Sequence, residues 1–267
     1  MLLPTKTVEK PWGMDTLPAP FSAPEGKRIG EIWFEPPEQL PQLLVKYIFA
    51  SEKLSIQVHP SDRQTEAKGL GKQGKEECWL VIDAEEGATL GIGFDHDLSG
   101  EELRAASEDG SIEEMMVWRK VQPGDFFYIP ANTVHAIGGG VSIIEIQQNS
   151  DITYRLCDYG RPRELHLDDG VAVAQAGVHD AANRRQVPAS GDVALVDGPH
   201  FRLDRVDGQP DAATTARYSG PLLVIPRDGA AKVDGERVEP GACALAPSIE
   251  AVGFADGGSC LITQPLR

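Results

Sequence analysis

Apolar residues along the chain fall in short runs separated by Pro- and Gly-containing turns, the signature of many short strands rather than long helices. The runs predict strands over residues 29–34, 43–49, 54–60, 78–82, 89–94, 126–129, 134–137 and 141–147, and further ones over 193–196, 222–225 and 243–245. Helices are expected in few places. Ser61 with Gln64 three residues on reads as a capping box for a short helix that Gly69 and Gly71 end. Residues 99–106 and 111–118 predict two more, divided by Gly110 and the second opened by Ser111-x-x-Glu114, and residues 167–175 a fourth. Residues 181–191 read as a linker.

Strands at about ten-residue spacing, punctuated by turns such as Pro123-Gly124 and Pro130-Ala131-Asn132, indicate a small β-barrel or sandwich. The pattern occurs twice. Val121-Gln122-Pro123-Gly124, with Pro130 downstream, recurs as Val238-Glu239-Pro240-Gly241 with Pro247, and Leu80-Val81-Ile82 as Leu223-Val224-Ile225. Two related β units follow, over residues 1–166 and 192–267, joined by a helix and linker over 167–191.

Composition narrows the class. With 267 residues the chain is long enough to bury a sizeable core without staples. The four cysteines lack CxxC spacing, which argues against a zinc ribbon or a disulfide framework and for reduced, buried thiols. The amino terminus has no apolar signal core, and no run approaches the ~20 residues that span a bilayer, so a cytoplasmic protein is expected. A balance of 25 basic against 41 acidic residues, net −16, disfavours nucleic acid and anionic membrane as partners. An anionic ligand would need basic groups concentrated locally.

Candidate chemistry centres on residues 54–60, where Ser55, Gln57 and His59 share one strand face and Leu54, Ile56 and Val58 take the other. Gln57 and His59 could reach one ion. Glu76 and Glu77 precede the apolar strand at 78–82, and His135 follows the Pro130–Thr133 turn. Gln57, His59, one of the two glutamates and His135 make a mixed N/O ligand set that suits zinc and tolerates other divalent first-row metals. The second unit carries Val252 where His135 would fall and Gly220 where Glu77 would fall, so it reads as a structural partner without a metal site.

Pro123-Gly124-Asp125 through Ile129-Pro130 to His135 resembles the second characteristic motif of the cupin superfamily. Residues 54–60, Gly74-Lys75-Glu76-Glu77-Cys78-Trp79, residues 129–136 and Ser150-Asp151-Ile152-Thr153-Tyr154-Arg155 together resemble the type I mannose-6-phosphate isomerases in their short bacterial form. The likeness covers about residues 5 to 175, and the second unit matches in outline only. It implies an all-β dominated fold of two cupin-type jelly-roll barrels, the second degenerate, with a few short helices. It places one Zn2+ per chain on Gln57, His59, Glu77 and His135, choosing Glu77 because the family's ligand follows a lysine by two residues. It also places the family's active-site lysine on Lys75, and its catalytic glutamate and arginine on Glu145 and Arg155.

The implied reaction interconverts mannose 6-phosphate and fructose 6-phosphate, moving a proton between C1 and C2 through an enediol or enediolate. Arg155, Arg161 and Arg163, with Lys53 and Lys75 flanking the metal motifs, are the basic groups expected to meet the phosphate, although Arg161 and Arg163 also fit a solvated loop. The large helical insertion of longer relatives is absent. Two rival readings fit the same residues: a non-catalytic metal-binding cupin that senses a sugar, and an isomerase of another sugar phosphate. Monomer and homodimer are both compatible with the sequence.

Overall fold

The computed structural model describes residues 1–266. Its strands form four antiparallel sheets. The first runs in the order β1 (Thr5–Met14), β2 (Ile29–Phe34), β3 (Leu43–Ala50), β10 (Val141–Gln148), β5 (Glu77–Ala84), β8 (Asp125–Ile129), β12 (Arg184–Gln186). The second is β11 (Tyr154–Cys157), β4 (Ile56–Val58), β9 (His135–Ile137), β6 (Thr89–Phe94), β7 (Met116–Lys120). The third is β13 (Val193–Asp197), β14 (Phe201–Asp207), β20 (Ser259–Pro265), β15 (Leu222–Asp228), β18 (Ala244–Ala246). The fourth is β17 (Glu236–Val238), β16 (Ala231–Val233), β19 (Val252–Gly253).

The layers stack in a defined sequence. Trp79, Leu90, Ile92, Phe127 and Ile143 fill the space between the first and second sheets. On the opposite face of the first sheet, Tyr47, Phe49, Cys78 and Ile144 meet Phe201, Leu203, Leu223 and Leu261 of the third. Val224 and Ile262 then pack on Val233 and Val238 of the fourth. The central strands β3 and β10 are buried along their whole length, as strands covered on both faces must be, which is why they read as near-continuous apolar runs. The core between the two large sheets makes the halves one packed body.

The internal repeat is visible in the topology. The order β3-β10-β5-β8 recurs as β14-β20-β15-β18, and β9-β6-β7 as β19-β16-β17. Val252 opens β19 at the place where His135 opens β9.

The helices are short: α1 (Asp62–Ala67), α2 (Gly100–Asp109), α3 (Ile112–Met115), α4 (Leu167–Val173) and α5 (Ala212–Arg217). Both Ser61 and Ser99 sit in reciprocal capping boxes. Among the described residues, no helix is long and apolar enough to cross a membrane. All four cysteines are buried and free.

Three expectations are corrected. The helix over 111–118 stops at Met115, because Met116–Lys120 instead pairs with β6 and Trp118 packs over Gly91. Residues 181–191 are not a bare linker, since Arg184–Gln186 adds an edge strand to the first sheet beside β8. The amino end does not stay with its own unit: Leu2 bridges Ala244, and Leu3 N–H donates to the Cys243 carbonyl at 2.9 Å. Strands β1, β11, β14, β16, β17, β19 and β20 were not foreseen.

Candidate active site

The two sandwiched sheets of the first unit converge on one point. Gln57 lies on β4 directly opposite His135 on β9, and His59 follows β4 by one residue. Glu77 opens β5 in the facing sheet. Donor atoms of His59, Glu77 and His135 lie within 4.8 Å of one another. The His135 Nε2–Glu77 Oε1 separation is 3.3 Å and that of His59 Nε2–Glu77 Oε2 is 3.7 Å. The Gln57 amide is 3.5 Å from His59 Nε2 and 3.3 Å from His135 Nε2.

The fit to a cation rests on chemistry in the chain. Glu77 is fully buried; its Oε1 has no hydrogen-bond partner and its Oε2 meets only the Lys75 ammonium, at 2.8 Å, so the carboxylate has room for a second positive charge. His59 Nδ1 and His135 Nδ1 each lie 2.8 Å from a backbone carbonyl, of Ile152 and Thr133 respectively. Donation there leaves both Nε2 lone pairs facing Glu77. Burial, then the Lys75 charge, hold His59 well below the usual imidazole range; burial also lowers His135, against the opposing pull of Glu77. Both rings are therefore neutral and ligand-competent. The Gln57 amide nitrogen faces the two histidines; a half-turn of the amide brings its oxygen inward as a fourth ligand.

Beside these residues lies Lys75, with Nζ 2.8 Å from Glu77 Oε2, 3.1 Å from His59 Nε2 and 3.8 Å from Glu145 Oε1. Glu145 on β10 also receives Lys46 Nζ at 2.8 Å and the Trp79 indole N–H at 2.8 Å. Burial alone would raise its carboxyl, but Lys46, Lys75 and the Trp79 donor outweigh it and bring the pKa down to about 2. Lys46 reaches Glu31 at 3.8 Å, and Glu31 in turn pairs with Lys10 at 3.4 Å. Alternating charges thus run from the rim, Lys10–Glu31–Lys46–Glu145–Lys75–Glu77, to the ligand cluster.

That chain borders a cavity of about 540 Å³ whose wall includes Gln57, Lys75, Glu145 and Arg155. Five cationic side chains (Lys10, Lys46, Lys75, Arg155, Arg163) face three acidic ones (Glu31, Glu145, Asp151), a local excess of positive charge on a chain of net −16. Arg155 stands opposite Gln57 across the β11–β4 ladder, and one of its Nη atoms donates to the Glu164 carbonyl at 2.6 Å.

The expected basic mouth is assembled only in part. Arg163 reaches the cavity wall while bound to Asp158 through two hydrogen bonds of 2.5 and 2.6 Å. Arg161 is held by the same Asp158 and by the Lys53 carbonyl, outside the cavity. Lys53 pairs with Glu113 and lies over the Trp118 ring, again outside. The buried Asp158 draws both arginines back onto their own loop. Conversely, sequence reasoning passed over Lys46, Glu31, Lys10, Trp12 and Trp33. A lysine inside an otherwise apolar strand, Leu43–Ala50, was the available signal for the first of these.

A mannose-6-phosphate isomerase of Bacillus subtilis is 45% identical over 207 residues, 74% of this chain and 65% of its own length. The chain is a homologue of the mannose-6-phosphate isomerases. One of these, from Streptococcus mutans, is 38% identical over 186 residues, 66% of this chain and 58% of its own. The chain therefore spans somewhat less than two thirds of the length of these relatives. A crystal structure of the mannose 6-phosphate isomerase from Bacillus subtilis superposes with a TM-score of 0.79 at 24% identity, covering 98% of each chain, and shares the cupin-type fold. No family model matches the chain.

Proposed function

We propose that this protein is an aldose–ketose isomerase that interconverts mannose 6-phosphate and fructose 6-phosphate, with a divalent metal, zinc by its ligand set, held by Gln57, His59, Glu77 and His135. The observation that carries the reading is Glu77, a fully buried carboxylate between two neutral histidines, with Oε1 unpartnered and Oε2 paired only with Lys75. Simple metal storage has no use for Lys75 and Glu145 at that point.

A metal bound there supplies Lewis-acid stabilisation of charge on the substrate oxygens. The chain's own groups do the rest. The cavity takes an opened hexose phosphate whose C1–C2 end faces Lys75, and the Lys75 ammonium answers the negative charge that develops in the enediolate. Glu145, its carboxyl depressed by Lys46 and Lys75, stays a carboxylate that holds Lys46 charged and keeps Lys75 in place. Arg155, with an Nε that has no partner, and Gln147, with a buried unpartnered Oε1, are available to the substrate's polar groups. Arg155 and Arg163 are the phosphate-side groups in this reading. Four buried free cysteines fit a reducing compartment, and we place the enzyme in the cytoplasm, as a monomer or homodimer.

A coupled assay on mannose 6-phosphate, run with metal-stripped and zinc-restored protein, tests the proposal. Activity should vanish and return with the metal. No turnover by restored protein with metal confirmed bound overturns it, and turnover only of another hexose phosphate replaces the substrate. His135→Ala should lose metal and activity together. Lys75→Met should keep the metal and lose rate by a hundredfold or more, on the order of one catalytic charge contact; a fully active Lys75→Met removes Lys75 from the mechanism.

A further inference from the structure

Away from the catalytic cavity, the first unit is open along one seam, where β7, the edge of the second sheet, faces β12, the edge of the first. Arg119 on β7 stands opposite Leu90 of β6, and Arg184 on β12 stands opposite Phe127 of β8. Leu90 and Phe127 both belong to the core between these sheets. Cross-strand neighbours share a face, so both arginines lie on the inward faces, and both line the groove at the seam. With Lys120 and Arg185 they border a groove of about 630 Å³.

At this seam two arginines line one groove without an acidic partner. Arg161, Arg163 and Arg217 each have an aspartate partner, Asp158 for the first two and Asp204 for the third. Arg119 and Arg184 form no ion pair among the described residues. The one carboxylate at the groove, Asp125, accepts from the Gln122 backbone N–H at 2.8 Å. Arg119 Nε is buried without a hydrogen-bond partner. Burial, and after it the facing Arg184 charge, lower the Arg119 guanidinium from its ordinary range. Charges that guard a sheet edge against aggregation serve best when they project into solvent; here two like charges are turned toward each other and one donor is hidden. A bound anion would supply what both lack.

We propose that this seam is a second anion site that takes a phosphate group, gripped between the Arg119 and Arg184 guanidinium groups with Lys120 and Arg185 at its rim. The planar forks match phosphate oxygens, and the two guanidinium groups with Lys120 favour a dianion over a lone carboxylate; Arg185, opposite Phe126 and donating to the Ala194 carbonyl at 3.2 Å, adds only rim charge. The site shares no residue with the catalytic cavity, so ligand held there would be an effector or a resident ion rather than the reacting sugar.

The test uses the metal-loaded protein and two probes, inorganic phosphate and glucose 6-phosphate, followed by calorimetry and by thermal melting. In Arg119→Gln/Arg184→Gln, one class of phosphate site should weaken at least tenfold, on the order of a lost charge-assisted contact, with KM for mannose 6-phosphate unchanged. Without phosphate the double variant should melt no lower than the wild type, since repulsion is relieved, and added phosphate should raise the wild-type melting temperature more than the variant's. Seam binding of glucose 6-phosphate well above that of inorganic phosphate identifies a sugar phosphate as ligand; equal binding identifies the phosphate group alone. Identical isotherms and identical phosphate-induced melting shifts in the two proteins overturn the site. Should the double variant fail to fold, Arg184→Gln, on the short edge strand, is read by the same criteria.

Discussion

Lys46 illustrates how one residue serves both stability and chemistry. It is buried between two buried carboxylates, 2.8 Å from Glu145 and 3.8 Å from Glu31, and burial alone would strip its charge. Those carboxylates outweigh burial and hold it charged. Lys46→Met would leave Glu145 with the Trp79 indole N–H and with Lys75, 3.8 Å away, as its neighbouring cation. Removing one partner of a buried pair costs about 3 kcal/mol, because the other charge remains desolvated. The pH dependence follows from the sign of the shift. A carboxyl depressed from 4.5 to about 2 stabilises the fold above its unfolded pKa, and that contribution is lost as pH falls between those values. In Lys46→Met the Glu145 carboxyl rises, so the acid limb of the stability curve, followed by urea unfolding from pH 3 to 7, should move to higher pH. Lys46→Met combined with Glu145→Gln should regain much of the lost stability while remaining inactive, since no uncompensated charge is left. A stability curve for Lys46→Met that superposes on the wild type's would remove the ion chain from the account.

Among the elements, the corner between β4 and α1 sets where His59 sits, and Gly74 sets the corner. A Cβ at residue 74 would come within 2.3 Å of the Pro60 carbonyl oxygen and 2.6 Å of the Asp62 nitrogen, with backbone on each side that cannot swing away. The Lys75 N–H already donates to the Pro60 carbonyl at 3.0 Å, and the Gly74 N–H to an Asp62 carboxylate oxygen at 2.7 Å. Gly74→Ala must therefore part the strand carrying Lys75 and Glu77 from the turn carrying His59. Metal affinity, measured by chelator competition, should fall at least tenfold together with kcat, on the scale of disturbed ligand orientation; retention of full affinity would show that the corner does not set the site. The same scale explains what the sequence made legible. Strands buried on both faces, such as β3, β5 and β10, announce themselves as apolar runs, and their metal-ligating neighbours fall in readable order. Strand β1 hides because its first half is exposed at a sheet edge and reads Thr5-Lys6-Thr7, and β12 because Arg184-Arg185-Gln186 has no apolar residue at all. Lys46 and Glu31 were missed for a different reason: their partnership exists only across β2, β3 and β10, which the chain brings together from distant stretches.

For the whole molecule, the second unit carries no counterpart of His135 or Glu77, yet it shares a core with the first and reaches toward its site. His200, in the turn between β13 and β14, lies 3.5 Å from Asp62 and 3.5 Å from Glu76, which flank His59 and Glu77 in the chain. Glu76 also accepts from the Tyr128 hydroxyl, and Tyr128 packs edge-on against Phe201 of the same second-unit strand. The hydrogen bond to Glu76, then the nearby Asp62 charge, raise the His200 imidazole above its usual range. A raised histidine pKa gives stability that is fully present below the unfolded value near 6.5 and lost as pH rises through the folded one. The contact between the halves should therefore be strongest in mild acid and fade toward alkaline pH. His200→Ala should melt lower than the wild type at pH 6 and converge with it by about pH 9, beyond the histidine range, and kcat at pH 6 should fall while the metal stays bound. Parallel melting curves for the two proteins across that range would show that the half-buried imidazole is a passive neighbour, and that the apolar core alone joins the second unit to the segment carrying Lys75 and Glu77.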